Sequence, residues 1–579
     1  MSSSDGNPSS RQTEWQHVAR LKLVEIDDIA SRTRELAFNQ AEEQLRELAR
    51  VARRFKVRRN SLLPVSRLPA EALCHIFSLA VMADIGPEDP VWDIVDTRTW
   101  AARDRTTITH VCHQWREIAL SYPVLWTSII CGASEEYYAE VLSRSGTLPL
   151  TMSGDQGIGA GLAELARIED LALSTTPSGM KDLGQGTFGP APLLRSLQLE
   201  CVHDNEDLLP YIMLGEGDVP LPCLTRLVLI DCILPWSSPI FSNLVHLEIQ
   251  MPIHVHATNS SARKPSQDDL FSILRAATGL RTLILAHGAC TSESMAAQVL
   301  PLPHLENLTL RGHAMHMAYF YASIRIPTAA TVVLKLSSFY VFDEQGSVLE
   351  VMLPLLCMRD RADGVFSPNM LSIVAADIKP ADADMVDVKF QLSNISALDH
   401  QHPQCGPASA YREIVASNSK PLYTLRFYFF LHHYNARSNV LGMVYRNLPL
   451  DAVHTLFVAG TRLQTKVWWE RLFRRSTEAD NNHIHTLYVD ALGEAYQCAL
   501  PLCPEPDSGA PLFPSLRHVG VREPGPFLEI DTLALVHRVA SVRKLGGTSP
   551  EFWINAAGEY VAAEALLRSS SLPNDGVLD

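Results

Sequence analysis

A six-residue pattern, L-x-x-L-x-L, recurs along this chain and constrains its fold more than any other feature. The plainest copies begin at Leu194, Leu224, Leu244, Leu280 and Leu305. The alternation that ends each copy is what a strand needs to bury one face. One copy alone cannot cover that face, whereas neighbouring copies stacked side by side would cover it, as in solenoid proteins.

Looser copies of the pattern begin at Leu422, Val453, Ile484 and Leu516. The copies resemble leucine-rich repeats, although their spacing brackets or somewhat exceeds the 20–29 residues typical of that class. The resemblance implies an irregular leucine-rich-repeat-like α/β solenoid over residues 191–345. It continues over residues 421–568, where a C-terminal helix is expected from about Ala556. Residues 346–420 are interpreted as irregular structure or an insertion. The alternative is a chance pattern in an unrelated α/β architecture.

A second ordered pattern lies between residues 68 and 129. The run L-P-A-E-A-L-C-H-I-F begins at Leu68, V-C-H-Q-W-R-E-I-A begins at Val111, and P-V-L-W begins at Pro123. Pro69 suits the first turn of a helix, and the apolar side chains from Leu73 onward follow one helical face. The apolar stripe from Val111 predicts another helix. Two helices of this length cannot form an independent core and need further partners.

These three runs resemble the F-box, whose pattern is roughly L-P-x-E-x-L-x-x-I-F, V-C-x-x-W-R-x-I-A and P-x-L-W. The spacer over residues 84–107 is longer than in the compact form of the motif, as in large families of fungal F-box proteins. The resemblance implies a small all-α F-box domain over residues 61–130 that docks on a Skp-type adaptor and through it on a cullin. It implies adaptor-binding roles for Leu68, Pro69, Leu73, Ile76, Phe77, Val111, Cys112, Trp115, Ile118, Leu125 and Trp126. Taken singly, each of these side chains is better explained as core, whereas the ordered set together favours adaptor binding.

The remaining segments are less specific. Residues 1–17 are rich in Ser, Asn and Gly and are expected to be disordered. Residues 18–60 are interpreted as a long or broken helix, with a short coiled coil as one form. The basic run Arg50–Arg59 within it is either a nuclear-localisation or nucleic-acid patch or a cationic helix end that complements the helix dipole. Residues 131–190 are interpreted as a connecting region and residues 569–579 as a tail.

Composition narrows the classes of function. The net charge of -15 argues against nonspecific binding of nucleic acid or of an anionic membrane. No apolar run approaches the roughly 18 residues of a spanning helix, and no secretory signal is visible. The 11 cysteines are scattered singly, which indicates reduced thiols in the cytoplasm or the nucleus. We therefore expect neither nucleic acid nor a membrane among the partners.

No motif predicts catalysis, a cofactor or a metal. The glycine-rich run Gly154–Gly161 lacks the P-loop pattern, and the pairs His254/His256 and His432/His433 lack the spacing of a zinc site. Trp468–Trp469, with basic neighbours, is either an interaction patch or part of a buried amphipathic helix. The sequence thus predicts a non-enzymatic substrate receptor of a cullin–RING ubiquitin ligase, whose repeats hold an unidentified target protein. The alternative is a stand-alone interaction scaffold that uses the repeats and the N-terminal helix.

Overall fold

The computed structural model divides the chain into two compact units, Met1–Ser153 and Gly154–Asp579. The residues that it describes are 8–82, 105–130, 134–154, 163–176, 178–179, 189–202, 221–251, 265–287, 289, 294–336, 353–356, 360–361, 364–368, 370–377, 385–393, 422–430, 440–459, 483–490, 513, 515–522, 551–556 and 559–562.

The first unit is mainly helical. Its labelled helices are α1 (Pro8–Ala30), α2 (Arg34–Ser61), α3 (Ala70–Met82), α4 (His113–Leu120) and α5 (Glu135–Ser145). Residues 105–111 are also helical, and 3-10 turns cover Pro64–Arg67 and Pro123–Trp126. Two short strands, β1 (Ser128–Ile130) and β2 (Leu150–Gly154), pair in parallel.

The N-terminal segment is a pair of helices. The aromatic rings of Trp15, early in α1, and Phe55, late in α2, lie 6.3 Å apart, so the two helices run antiparallel. The helix predicted over residues 18–60 is therefore the broken form, with its break at residues 31–33. The prediction of disorder to residue 17 is wrong from Pro8 onward, because α1 begins there. Arg58 and Arg59 occupy the last turn of α2, where cations complement the helix dipole.

The helix predicted from Val111 begins later than expected. Val111 ends the preceding helical residues, and Cys112 adopts an extended backbone conformation at the N-cap of α4. The Cys112 Sγ accepts a hydrogen bond from the backbone N–H of Trp115 at 3.5 Å. The cap therefore separates Val111 from the rest of the predicted apolar stripe.

The second unit contains a large, mainly parallel sheet, which confirms the predicted mixed α/β class. Its strands are β3 (Ile168–Thr175), β4 (Ser196–Cys201), β5 (Arg226–Ile230), β6 (His246–Met251), β7 (Thr282–His287), β8 (Leu300–Pro301), β9 (Asn307–Gly312), β10 (Ile324–Arg325), β11 (Thr331–Leu336), β12 (Asp360–Arg361), β13 (Gly364–Val365), β14 (Met370–Asp377), β15 (Met385–Ser393), β16 (Tyr423–Phe430), β17 (Thr455–Ala459), β18 (Thr486–Asp490), β19 (His518–Arg522), β20 (Glu551–Ala556) and β21 (Glu559–Ala562). Its helices are α6 (Gln267–Ala276), α7 (Ala314–Ala322) and α8 (Val440–Asn447).

Strand pairing follows chain order over most of this sheet. From β3 to β11, each long strand pairs in parallel with the next, and β11 pairs in parallel with β16. β15 then pairs antiparallel with both β16 and β14. β14 pairs in parallel with β17, and β17 to β20 continue in parallel order, with β21 antiparallel to β20. Two separate pairs, β8 with β10 and β12 with β13, complete the strands.

The leucines of the recurring pattern occupy equivalent positions in neighbouring strands. The middle leucines of the plain copies are fully buried and form one row across the sheet. The row consists of Leu197, Leu227, Leu247, Leu283 and Leu308. The third position forms a second buried row through Leu199, Leu229, Ile249, Leu285 and Leu310. The copies of the pattern therefore lie side by side with their leucines buried on one face of the sheet.

The turn before each strand also repeats. The N–H of the first leucine donates to the carbonyl three residues earlier, as from Leu194 to Ala191 and from Leu305 to Leu302. The next N–H donates to the equivalent residue of the preceding copy, as from Thr225 to the Arg195 carbonyl at 2.9 Å. The same bond joins copies late in the chain, where Arg517 donates to the His485 carbonyl at 2.8 Å.

Three predicted segments need correction. Residues 131–190 contain α5, β2 and β3, so they are not a mere connection. Residues 346–420 contain β14 and β15, which are paired members of the main sheet. The C-terminal helix expected from Ala556 is wrong over the described positions, because residues 551–556 and 559–562 form paired strands.

Several predicted features lie outside the described residues. These are residues 1–7, most of the 84–107 spacer, residues 155–161 of the glycine-rich run, His254/His256, His432/His433, Trp468–Trp469 and the tail 569–579.

Candidate protein interface

Burial divides the predicted adaptor-binding residues into separate groups. Leu73, Phe77, Leu125 and Trp126 are buried, with Leu73 at 0% exposure. Three are half-buried, namely Cys112, Trp115 and Ile118. Four are exposed, namely Leu68, Pro69, Ile76 and Val111. The structure thus assigns part of the motif to the core and leaves part of it on the surface.

The buried group joins α3, α4 and the 3-10 turn at Pro123–Trp126. The rings of Phe77 and Trp115 lie 4.9 Å apart and are tilted by 56°, which links α3 to α4. The Trp126 Nε1 donates to the Ala119 carbonyl at 2.8 Å inside the core. Because buried indole N–H groups need an acceptor, this bond fixes the turn against the end of α4.

Arg105 lies fully buried beside this core. Its Nη1 donates to the Ser128 carbonyl at 2.6 Å and to the Leu125 carbonyl at 3.3 Å. Its Nε and Nη2 both donate to the Tyr137 hydroxyl, at 3.2 and 2.5 Å. The guanidinium therefore connects residues 105–111, the 3-10 turn, β1 and α5. No sequence pattern marked it, because its partners lie 20 to 32 residues away.

Two arginine guanidinium groups lie close to the ring of Trp126. The guanidinium of Arg105 lies 5.5 Å from the Trp126 ring centroid, and that of Arg144 lies 4.5 Å from it. Both distances allow a cation–π attraction. The tryptophan that ends the motif is therefore fixed by packing and by charge, and it is not a free surface anchor.

The described residues between 68 and 129 include five exposed large aliphatic side chains, which we call the exposed apolar set. They are Leu68, Ile76, Leu79, Val111 and Val124, and their exposed fractions range from 37% to 54%. Ile76 and Leu79 are three residues apart on α3, so they are neighbours on the helix surface. They lie beside the buried face formed by Leu73 and Phe77, so α3 is apolar over a wider arc than its core contacts use.

Leu79 and Val124 were missed by the sequence analysis. The signal for Leu79 was present, since it stands three residues after Ile76, but a single apolar periodicity does not separate a packed face from an exposed one. Val124 lies between Pro123 and Leu125 in the 3-10 turn. The geometry of this turn exposes Val124 and buries Leu125, and the sequence pattern does not show that geometry.

This surface has the chemistry of a docking site. Exposed aliphatic groups gain free energy when a partner removes them from water, at about 25 cal/mol per Å² of apolar area. On α3, burial and then the Glu71 carboxylate raise the pKa of the Cys74 thiol above its usual value, which lowers the fraction of reactive thiolate. Across the described ranges, no three His, Cys, Asp or Glu side chains gather closely enough to hold a metal ion.

Two further observations are not limited to this unit. In the part that the structure describes, none of the helices combines the length and the apolar character needed to cross a bilayer. No protein-family model matches the sequence, and no curated protein matches it.

Proposed function

We propose that this chain is the substrate-recognition subunit of a cullin–RING ubiquitin ligase. In this proposal residues 61–130 form an F-box domain that docks on a Skp-type adaptor, and the second unit holds a target protein. The observation that carries the proposal is the division of the F-box-like residues into a packed core and an exposed apolar set. A helix-packing interface needs both, because the core presents the helix and a few exposed anchors supply the binding energy.

The role of the second unit follows from its regular sheet. We propose that it is an irregular leucine-rich-repeat-like solenoid, a class whose extended surface binds other proteins. The Cys232 Sγ donates to the Leu199 carbonyl of the neighbouring strand at 3.4 Å, so a side chain just past the pattern supports the backbone between copies. Such a scaffold would hold a target near the ubiquitin-charged enzyme and act through proximity. The scattered cysteines favour a cytoplasmic or nuclear location.

The test is adaptor binding by matched variants of α3. Ile76→Lys places a charge in the exposed apolar set, whereas His75→Lys places one at an exposed polar position of the same helix. Both changes are at the surface, so both should alter the free energy of unfolding by no more than about 0.5 kcal/mol. We expect wild type and His75→Lys to bind a purified Skp-type adaptor, and Ile76→Lys to bind at least about tenfold more weakly.

Two results would contradict the proposal. One is an Ile76→Lys protein that binds the adaptor as tightly as wild type. The other is a folded wild-type protein that does not bind the adaptor. The double variant Leu68→Ala/Pro69→Ala, which removes exposed side chains before α3, provides a second measurement that is independent of the added charge.

A second function is favoured by the N-terminal helices. Apolar side chains of α1 and α2 are largely exposed, among them Leu21, Leu36, Phe38 and Leu48. Helices with such faces associate readily, so a stand-alone scaffold that self-associates through α1 and α2 is the alternative. Sedimentation equilibrium distinguishes the two. A dimer that is lost in Phe38→Ser/Leu48→Ser, without any adaptor binding, would favour the scaffold.

A further inference from the structure

One side of α2 carries an apolar stripe that reads the same in both directions along the helix. Its members, which we call the α2 stripe, are Phe38, Ala41, Leu45, Leu48, Ala52 and Phe55. Their spacings are three, four, three, four and three residues, so all six lie along one side of the helix. Residue types and spacings are both mirrored about the midpoint between residues 46 and 47, so the stripe is unchanged when the helix is reversed.

The α2 stripe stays uncovered although α1 packs against α2. Its four large members, Phe38, Leu45, Leu48 and Phe55, have exposed fractions from 58% to 66%. Among the described residues of α2, only Ala37 is buried. A row of large apolar side chains in water is unfavourable, and it gains free energy when a second apolar surface covers it.

The symmetry of the stripe selects a second copy of this chain as that surface. When two identical helices pack antiparallel about a twofold axis, residue i of one meets residue j of the other, and j meets i. In the register centred between residues 46 and 47, Phe38 of one copy meets Phe55 of the other. Leu45 likewise meets Leu48, and alanine meets alanine. The stripe is about 26 Å long, and each layer along it joins two residues of the same size.

The charges of α2 favour the same orientation. Residues 34–47 contain four glutamates and two arginines, whereas residues 48–61 contain six cations and no carboxylate. Two ion pairs lie within the helix, Arg46 with Glu42 and Arg50 with Glu47. In the part of the chain that the structure describes, five further cations have no carboxylate partner, namely Arg53, Arg54, Lys56, Arg58 and Arg59. Antiparallel pairing places the cations of one copy beside the glutamates of the other, whereas parallel pairing would bring both sets of cations together.

We propose that two copies of this chain associate through their α2 stripes in antiparallel orientation. The pairing does not rest on adaptor binding, because α2 ends at Ser61 and the exposed apolar set begins at Leu68. A dimer that also binds the adaptor would carry two F-box domains. A dimer that does not bind it would be the stand-alone scaffold.

Sedimentation equilibrium of the full chain tests the pairing. Leu45→Lys/Leu48→Lys brings four lysines together at the centre of the antiparallel pair. Leu36→Lys/Val57→Lys changes two exposed apolar residues of the same helix that lie away from the stripe, and it serves as the matched control. We expect wild type and the control to be dimers, and the stripe variant to have a dimer dissociation constant at least about a hundredfold higher. Circular dichroism and thermal unfolding check the fold of each variant.

Exchange of charges tests the orientation. Glu42→Lys/Glu43→Lys places cations beside the basic half of the other copy and should weaken the dimer at least about tenfold at low salt. Adding Arg53→Glu/Arg54→Glu to the same chain restores opposite charges and should return the affinity to within about threefold of wild type. A parallel pair predicts neither change, because each half then meets a copy of itself.

Three results would overturn the proposal. A wild-type chain that stays monomeric at the highest concentration reached would do so. Equal dimerisation by the stripe variant and its control would show that the stripe is not the interface. Weakening by the first charge variant without rescue by the second would exclude the antiparallel orientation. Each of these results is independent of whether Ile76→Lys alters adaptor binding.

Discussion

The two units of this protein present opposite chemistry at their surfaces. In the helical unit, aliphatic side chains such as Ile76 and Leu79 remain exposed while an arginine, Arg105, is fully buried. In the sheet unit, the leucines are buried in continuous rows while cations such as Lys335 occupy the accessible face. The sheet unit thus follows the rule of apolar inside and charged outside, whereas the helical unit departs from it.

The difference bears on what each proposed surface could bind. An exposed aliphatic set favours a partner with its own apolar face, and such contacts depend little on ionic strength. Cations on the accessible face of the sheet favour anionic partners, and exposed or half-buried charges are screened by salt.

The largest expected effect comes from the leucine rows. Leu247 is fully buried between Leu227 and Leu283, so Leu247→Ala leaves a cavity in the sheet core. We expect it to lower the free energy of unfolding by about 2–5 kcal/mol. Arg281→Ala is the control, since it removes an exposed ion pair with Glu306 that contributes at most about 1 kcal/mol. Urea denaturation followed by circular dichroism measures both. Equal losses would contradict the assigned packing.

The next effect tests the buried arginine of the helical unit. Tyr137→Phe removes the hydroxyl that accepts two hydrogen bonds from Arg105. Bonds to a charged group contribute about 1.5–3 kcal/mol, so we expect a loss of stability in that range. Tyr122→Phe removes only a neutral bond with Ser78 and should cost less, about 0.5–1.5 kcal/mol. Hydrogen exchange in α3 and α4 should report the difference, and faster exchange in Tyr122→Phe than in Tyr137→Phe would refute it.

The leucine pattern predicted strands at the plain copies, in β4, β5, β6, β7 and β9, because the alternation that ends each copy has the period of a strand. It missed β3, although Ile168, Leu171 and Leu173 follow the same spacing as the copy that begins at Ile484. It also missed β14, where Leu371 and Ile373 occupy the two buried rows but Pro368 replaces the first leucine. The antiparallel β15 had no pattern to mark it.

The sequence predicted the exposed apolar set only in part, because a periodic pattern does not distinguish exposed from buried residues. An apolar period locates the apolar face of a helix. On α3 this face is wider than the part that packs against the core, so the sequence did not show that Leu73 is buried and Ile76 is exposed. At the C-terminus, Ala- and Glu-rich composition favours a helix, whereas residues 559–562 pair with β20. Pairing with a neighbouring strand overrides such weak local preferences.

A salt titration tests the chemistry of the exposed apolar set. Raising the salt concentration from about 0.05 M to about 0.5 M shortens the screening length severalfold. Adaptor affinity should change by less than about threefold, because it depends on the exposed apolar set. Adaptor binding that weakens about tenfold or more would show that this surface is electrostatic.

The smallest effect is a pH dependence of stability that arises from His287. Burial, and then the Arg311 guanidinium, lower the pKa of His287 below its ordinary 6.5. The unfolded chain therefore binds this proton more tightly than the folded chain. The stability from neutral His287 is complete above pH 6.5 and decreases as the pH falls below 6.5 towards the folded pKa.

His287→Asn removes this titration and suits the positive φ of 56° at that residue, which Asn tolerates. We expect wild type to lose more stability than the variant between pH of about 7.5 and about 5.5, as measured by thermal unfolding. Acid sensitivity should remain in the variant, because burial also lowers the pKa of His313 and His485. Equal losses of stability in wild type and variant over this pH range would contradict the lowered pKa of His287.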